Sequence, residues 1–217
     1  MPTPPPPLSP DDLSITEIIG EIVKLNKGLR DFWANSHGWA PIDAAKLLSK
    51  SRLDWQISLS ESLHRWANIP AERDVASVQI LGYANLGALV EGTLKLFLSV
   101  SYNDYRGDTD AIRKKGAIVD PDGVTLEPMR QFFKKRIWAD APSDNWDAWI
   151  LRIQNRRNAI HAFKDREIGS HSELLEDIRI YFKFVRRING QLPYPDDHYG
   201  PDDRFLAWDT EAPAVTA

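Results

Sequence analysis

Cysteine is absent from all 217 residues. That excludes a disulfide framework and any cysteine-ligated zinc site, and it fits a reducing compartment, so a cytoplasmic location is expected. No run approaches the ~18 uninterrupted apolar residues that a membrane helix needs. The richest stretch, Leu81 to Val100, is broken by Glu91 and Lys95. The opening residues, MPTPPPPLSP, have no basic region and no apolar core, so neither a secretory signal nor a membrane partner is expected. Histidine is scarce, with five residues and no HxxxH or HExxH pair, which argues against a metal site. Phosphate-loop, dinucleotide-binding and nucleophile-elbow patterns are also missing. No cofactor is expected.

The chain does have enough apolar residues, 42 %, to build a core, and its length suits one domain. Its formal charge of −4 hides an asymmetry. Residues 150–190 hold 9 basic and 5 acidic side chains, whereas 191–217 hold 1 and 6. Affinity for nucleic acid comes largely from neutralising phosphates with Lys and Arg, so 150–190 is where an anionic partner would bind. A solvated helix face is the competing explanation of the same charges.

Six of the 15 prolines fall in the first ten residues, so 1–9 reads as a disordered, polyproline-like tail. Ser9-Pro10-Asp11-Asp12 is read as the opening of a long amphipathic helix carrying Ile15, Ile18, Ile22, Leu25, Leu29 and Phe32. A second helix is predicted from Pro41 to Asn68. A third, about Val75 to Tyr102, is the most apolar and is expected at the centre of a bundle. Its glycines, Gly82, Gly87 and Gly92, fit close approach of neighbouring helices. A polar connection follows, in which Asp120-Pro121-Asp122-Gly123 is read as a tight turn between two very short strands. Helices over Leu126–Trp138, Ser143–Lys164 and Ser170–Asn189 complete an all-α bundle spanning 10–190. The Pro-, Asp- and Gly-rich tail 191–217 is expected to pack loosely. Trp33, Trp55, Trp66, Trp146 and Trp149 sit on apolar stripes and are assigned to the core.

Ser143–Lys164 carries the informative motif. On a helical wheel Trp146, Trp149, Ile153, Ile160 and Phe163 share an arc of about 100°. Arg156 falls inside that arc and Arg157 on its shoulder, with Asn158 and His161 farther round. A buried guanidinium without a partner costs several kcal/mol. The two arginines therefore either pair with internal acids, for which Glu91 is a candidate, or converge with Asn158 and His161 on an anion-binding cleft.

Arg156-Arg157-Asn158-Ala159-Ile160-His161 resembles the Arg-x4-6-His motif of HEPN domains, small all-α bundles of prokaryotic toxin–antitoxin and anti-phage systems. A long preceding helix with an embedded glutamate (ALVEGTLKLFL) and one final long helix add to the likeness, which covers about 75–190. The two N-terminal helices form an extension. Arg156 has the family's spacing to the histidine, and Arg157-Asn158 has its dipeptide, so both arginines stand as candidates. The resemblance implies a metal-independent ribonuclease, acting on RNA as a homodimer, with an antitoxin protein as a further partner. In it His161 would act as general base or acid, Arg156, aided by Arg157, would clamp the phosphate, and Asn158 would orient the phosphate or the imidazole. A HEPN-like module that binds nucleotide, RNA or protein without catalysis is the alternative, and a purely structural dimerisation domain is a third.

Overall fold

The computed structural model describes residues 12–139, 145–161 and 163–194. The proline-rich segment 1–9 and the tail from 195 lie outside them. The helices are α1 (Ile15–Trp33), α2 (Ile42–Lys50), α3 (Leu53–Ser62), α4 (Val75–Val100), α5 (Tyr102–Gly107), α6 (Leu126–Arg136), α7 (Trp146–Arg157) and α8 (His171–Asn189). The one sheet among the described residues is the two-stranded hairpin β1 (Arg113–Lys114) and β2 (Ala117–Ile118). The chain is thus an all-α bundle, and no helix among these residues is long and apolar enough to cross a membrane.

Both long amphipathic helices begin with the same local device. Ser14 accepts from the Glu17 backbone N–H while the Glu17 carboxylate accepts from that of Ser14. Ser170 and Glu173 repeat the exchange at α8. Each box satisfies two backbone donors that a helix start would otherwise leave unpaired. The α1 cap is therefore Ser14, beyond the Ser9–Asp12 opening read from the sequence.

α4 is covered on most sides, as its composition requires. Tyr83, Leu86, Leu89, Val90 and Leu94 are fully buried, against α7 and α8 on one flank and α2 and α3 on another. Each such side chain contributes about 1.5–3 kcal/mol relative to exposure. The three glycines mark the tight contacts. A Cβ at Gly82 would lie 2.5 Å from Leu174, one at Gly87 2.5–2.9 Å from the Arg157 side chain, and one at Gly92 would collide with Gln56. α1 packs on α3 and α8 and supplies Ile18, Ile19, Ile22 and Trp33 to one continuous core, so the N-terminal helices are integral to the bundle.

Five local expectations are corrected. The helix read over Pro41–Asn68 is two helices and a 3-10 turn, broken where Ser51 turns to extended backbone (ψ 144°) and Arg52 leaves the helical region. The short strands are joined by Lys115-Gly116, both at positive φ, whereas Asp120–Gly123 forms a 3-10 turn after them. Trp55 is 57 % exposed, not core. Finally, α7 ends at Arg157. A 3-10 turn covers Asn158–Ile160, so His161 leaves the helix, and Ile160 and Phe163 are exposed. Asparagine favours helix ends, and with no apolar surface to bury there, nothing rewards a longer helix. Residues 191–194 depart from the loose tail expected: Leu192 is buried, and Tyr194 bonds Trp33 and Asn189.

Candidate functional site

One residue step turns an α-helix by about 100°, so Arg156 and Arg157 leave α7 on different flanks. Their environments differ accordingly. Arg156 is 5 % exposed and points toward α8. Its guanidinium donates to the Tyr83 hydroxyl at 2.6 Å, to Glu173, and to Asp177 at 3.4 Å, with Glu167 at 3.6 Å. Asp177, itself 1 % exposed, also accepts from Tyr83 (2.9 Å), Trp149 Nε1 (3.0 Å) and Arg152 (2.5 Å). Two buried charges are thereby paired and hydrogen-bonded, the condition under which burial is tolerated.

The network sets its own titration. The Arg156 hydrogen bond, with the Ser170 backbone N–H, lowers the Glu173 carboxyl to about 2. Burial first, then the neighbouring Asp177 charge, pushes the Tyr83 hydroxyl well above its ordinary value, so it stays a donor. Gly169, at φ +68°, lets the chain pass: a Cβ there would sit 2.6 Å from the guanidinium carbon of Arg156. Glu173 serves twice, as the cap of α8 and as a counter-ion.

Arg157 goes the other way, along the side-chain-free surface at Gly87, into an open cleft of about 590 Å³. Glu91 of α4, Gln154 and Arg157 of α7, the Asn158–His161 turn and the start of α6 line it. Arg157 Nη1 donates to Glu91 at 2.7 Å, and Glu91 also pairs with Lys95 at 2.9 Å. Its remaining nitrogens meet no carboxylate among the described residues. His161 is exposed at the rim, its backbone N–H held by the Asn158 carbonyl at 3.1 Å. Thr125 and Leu126, at the start of α6, line this end of the cleft. Glu127 beside them is held at about 2 by Arg130, so it stays anionic.

Of the four residues singled out in the sequence, three therefore gather: Arg157, Asn158 and His161. Arg156 does not line this cleft; it is consumed by Tyr83, Glu173 and Asp177. The expected Glu91 contact exists and belongs to Arg157. Glu127 and the α6 terminus were missed, because only the fold brings α6 beside α7, whereas Gln154, three residues before Arg157 on the same helix, had helical spacing as its signal. Among the described residues no group of three His, Asp or Glu side chains is placed to hold a metal. Comparison with known proteins finds no matching family model, no matching curated protein and no matching solved structure.

Proposed function

We propose that the chain is a metal-independent endoribonuclease of the HEPN type, with Arg157, Asn158 and His161 as its working groups and Arg156 as the tie that fixes their helix. The observation that carries this reading is the convergence of a guanidinium, an amide and an imidazole in one open cleft, with the second arginine turned away. Each group suits a step of RNA cleavage. An imidazole can take the proton from a ribose 2′-hydroxyl, whose oxygen then attacks phosphorus. The P–O5′ bond breaks, leaving a 2′,3′-cyclic phosphate and a 5′-hydroxyl. Arg157 has donors left over after Glu91 to hold the phosphoryl oxygens and the charge that develops on them. Asn158 orients the phosphate or the ring.

One imidazole cannot take the 2′ proton and protonate the departing 5′ oxygen at the same instant. A second copy of the chain would supply the other. Ile160 and Phe163, large apolar side chains left exposed beside the motif, fit burial against that copy. The corresponding biological role is a cytoplasmic toxin or defence effector held in check by an antitoxin protein.

A second reading has its own observation. Glu91 already occupies one face of Arg157 and Glu127 adds a permanent anion, an arrangement suited to a module that binds nucleotide, RNA or a protein partner without cutting. Product analysis decides between them. Purified chain in EDTA should convert single-stranded RNA into fragments bearing cyclic phosphate and 5′-hydroxyl ends. RNA left intact, or cleavage that stops with EDTA, overturns the nuclease reading.

A further inference from the structure

A second cavity lies along the same face of α4. Helix positions 84, 88, 91, 95 and 99 recur at three- and four-residue steps, so they form one stripe. Its first part borders the cleft of Arg157 and its last part borders a groove of about 450 Å³ under the α2–α3 corner. Lys95 joins the two. Its ammonium pairs with Glu91 on the cleft side and donates to the Asp122 carbonyl at 3.2 Å on the groove side. From Glu91 to Lys95 the rise along the axis is about 6 Å.

The groove has the chemistry of a nucleotide site. Gly92 and leucines of α2, α3 and α4 make an apolar floor. At the edge stands Trp55. Trp33, Trp138, Trp146 and Trp149 are buried among other rings, but Trp55 is exposed and makes no ring–ring contact among the described residues. The Arg52 guanidinium lies over one face of its indole, 4.0 Å from the ring centroid, and Asp54 accepts two hydrogen bonds from that guanidinium, at 2.8 and 2.5 Å. The groove's charged lining is three cations, Lys50, Arg52 and Lys95, against Asp122 alone, and Lys50 has no ion-pair partner among the described residues. An apolar groove, an exposed indole and a cationic edge match a base and its phosphate.

We propose that this groove is a ribonucleotide subsite, in which a base of a single-stranded RNA stacks on Trp55 while Lys50 and Lys95 take the adjoining phosphate. It deepens the nuclease reading and rests on it for the identity of the ligand. It also gives the N-terminal helices a function: they supply the wall that seats the strand next to the cleft.

The test uses the full chain carrying His161→Ala, so that RNA binds without being cut, and a short fluorescein-labelled oligoribonucleotide read by anisotropy. Adding Trp55→Ala should raise Kd at least about fivefold, the low end of what one stacked base is worth. Trp55→Phe should restore most of the affinity. The exposed position keeps the melting temperature unchanged, which circular dichroism verifies. An unchanged Kd in Trp55→Ala overturns the subsite but not the nuclease reading, because cleavage by the unmodified chain is scored separately. Absence of cleavage together with Trp55-dependent binding overturns catalysis and keeps the subsite. If no variant binds the oligonucleotide, the subsite is wrong. It is also wrong if hydrogen-exchange protection of 47–59 and 92–99 grows with protein concentration instead of RNA, which would give the groove to a second protein chain.

Discussion

Replacing each of the two adjacent arginines by alanine should produce opposite phenotypes. Arg156→Ala removes a buried guanidinium from Tyr83, Glu173 and Asp177. Breaking a buried charge pair costs about 3–5 kcal/mol. Asp177 keeps Arg152 and Trp149, and Glu173 can rehydrate at the surface, so the low end, about 3 kcal/mol, applies. For a chain of this size each kcal/mol moves Tm by about 2–4 °C, giving a fall of about 6–12 °C. Arg157→Ala breaks one partly buried pair, open to the cleft, and leaves Glu91 with Lys95. A pair of that kind is worth about 1 kcal/mol or less, so Tm should fall by no more than about 4 °C. Thermal unfolding followed at 222 nm measures both. Equal shifts, or a larger shift for Arg157→Ala, would refute the division of labour between the two residues.

Gly87→Ala should act on the cleft from behind. Its Cβ would press on the Arg157 stem, costing about 1–3 kcal/mol of overpacking and displacing the guanidinium; RNA cleavage falling more than stability is the expected pattern. Acid should loosen α8 and the start of α6. Glu173 and Glu127 have folded pKa values depressed to about 2, so their contribution is complete above the ordinary carboxylate range near 4.5 and is lost as pH falls toward 2. Both carboxyls are over 40 % exposed, so screening keeps the effect small, and Glu173→Gln should flatten that part of a Tm–pH curve. If the proposed dimer forms, sedimentation velocity should show the unmodified chain as a dimer and Phe163→Glu as a monomer with unchanged Tm, since the ring is fully exposed in one copy; a dimer that persists in the variant would remove this face from the interface, and a monomeric unmodified chain would remove the dimer.

Much of the fold could be read from the residues because periodicity reports directly on burial. The α1, α4 and α8 stripes follow from helical spacing, and Ser170 was legible as the start of α8, whereas the opening of α1 was read too early, at Ser9–Asp12 instead of Ser14. The close contacts at Gly82, Gly87 and Gly92 had a sequence signal too, because glycine inside a helix needs a compensating reason. Other features depended on partners far along the chain. Asp177 stands in the apolar stripe of α8 among Leu174, Ile178 and Tyr181, which marks it as a buried acid, but nothing local assigns it to Arg156. The helix end at Arg157 was hidden by Ile160 and Phe163, apolar residues that keep the helical period and yet find no neighbour to cover them. Trp55 misled for the same reason: an apolar stripe does not say whether a surface exists opposite it.

His161 in the cleft of Arg157 is tested by the single-turnover cleavage rate of one RNA in EDTA, measured for the wild-type chain beside His161→Ala. The rate should fall by about a hundredfold or more, the usual worth of a positioned acid or base, with RNA affinity retained. Equal rates in the two proteins, or intact RNA in both, would contradict that role.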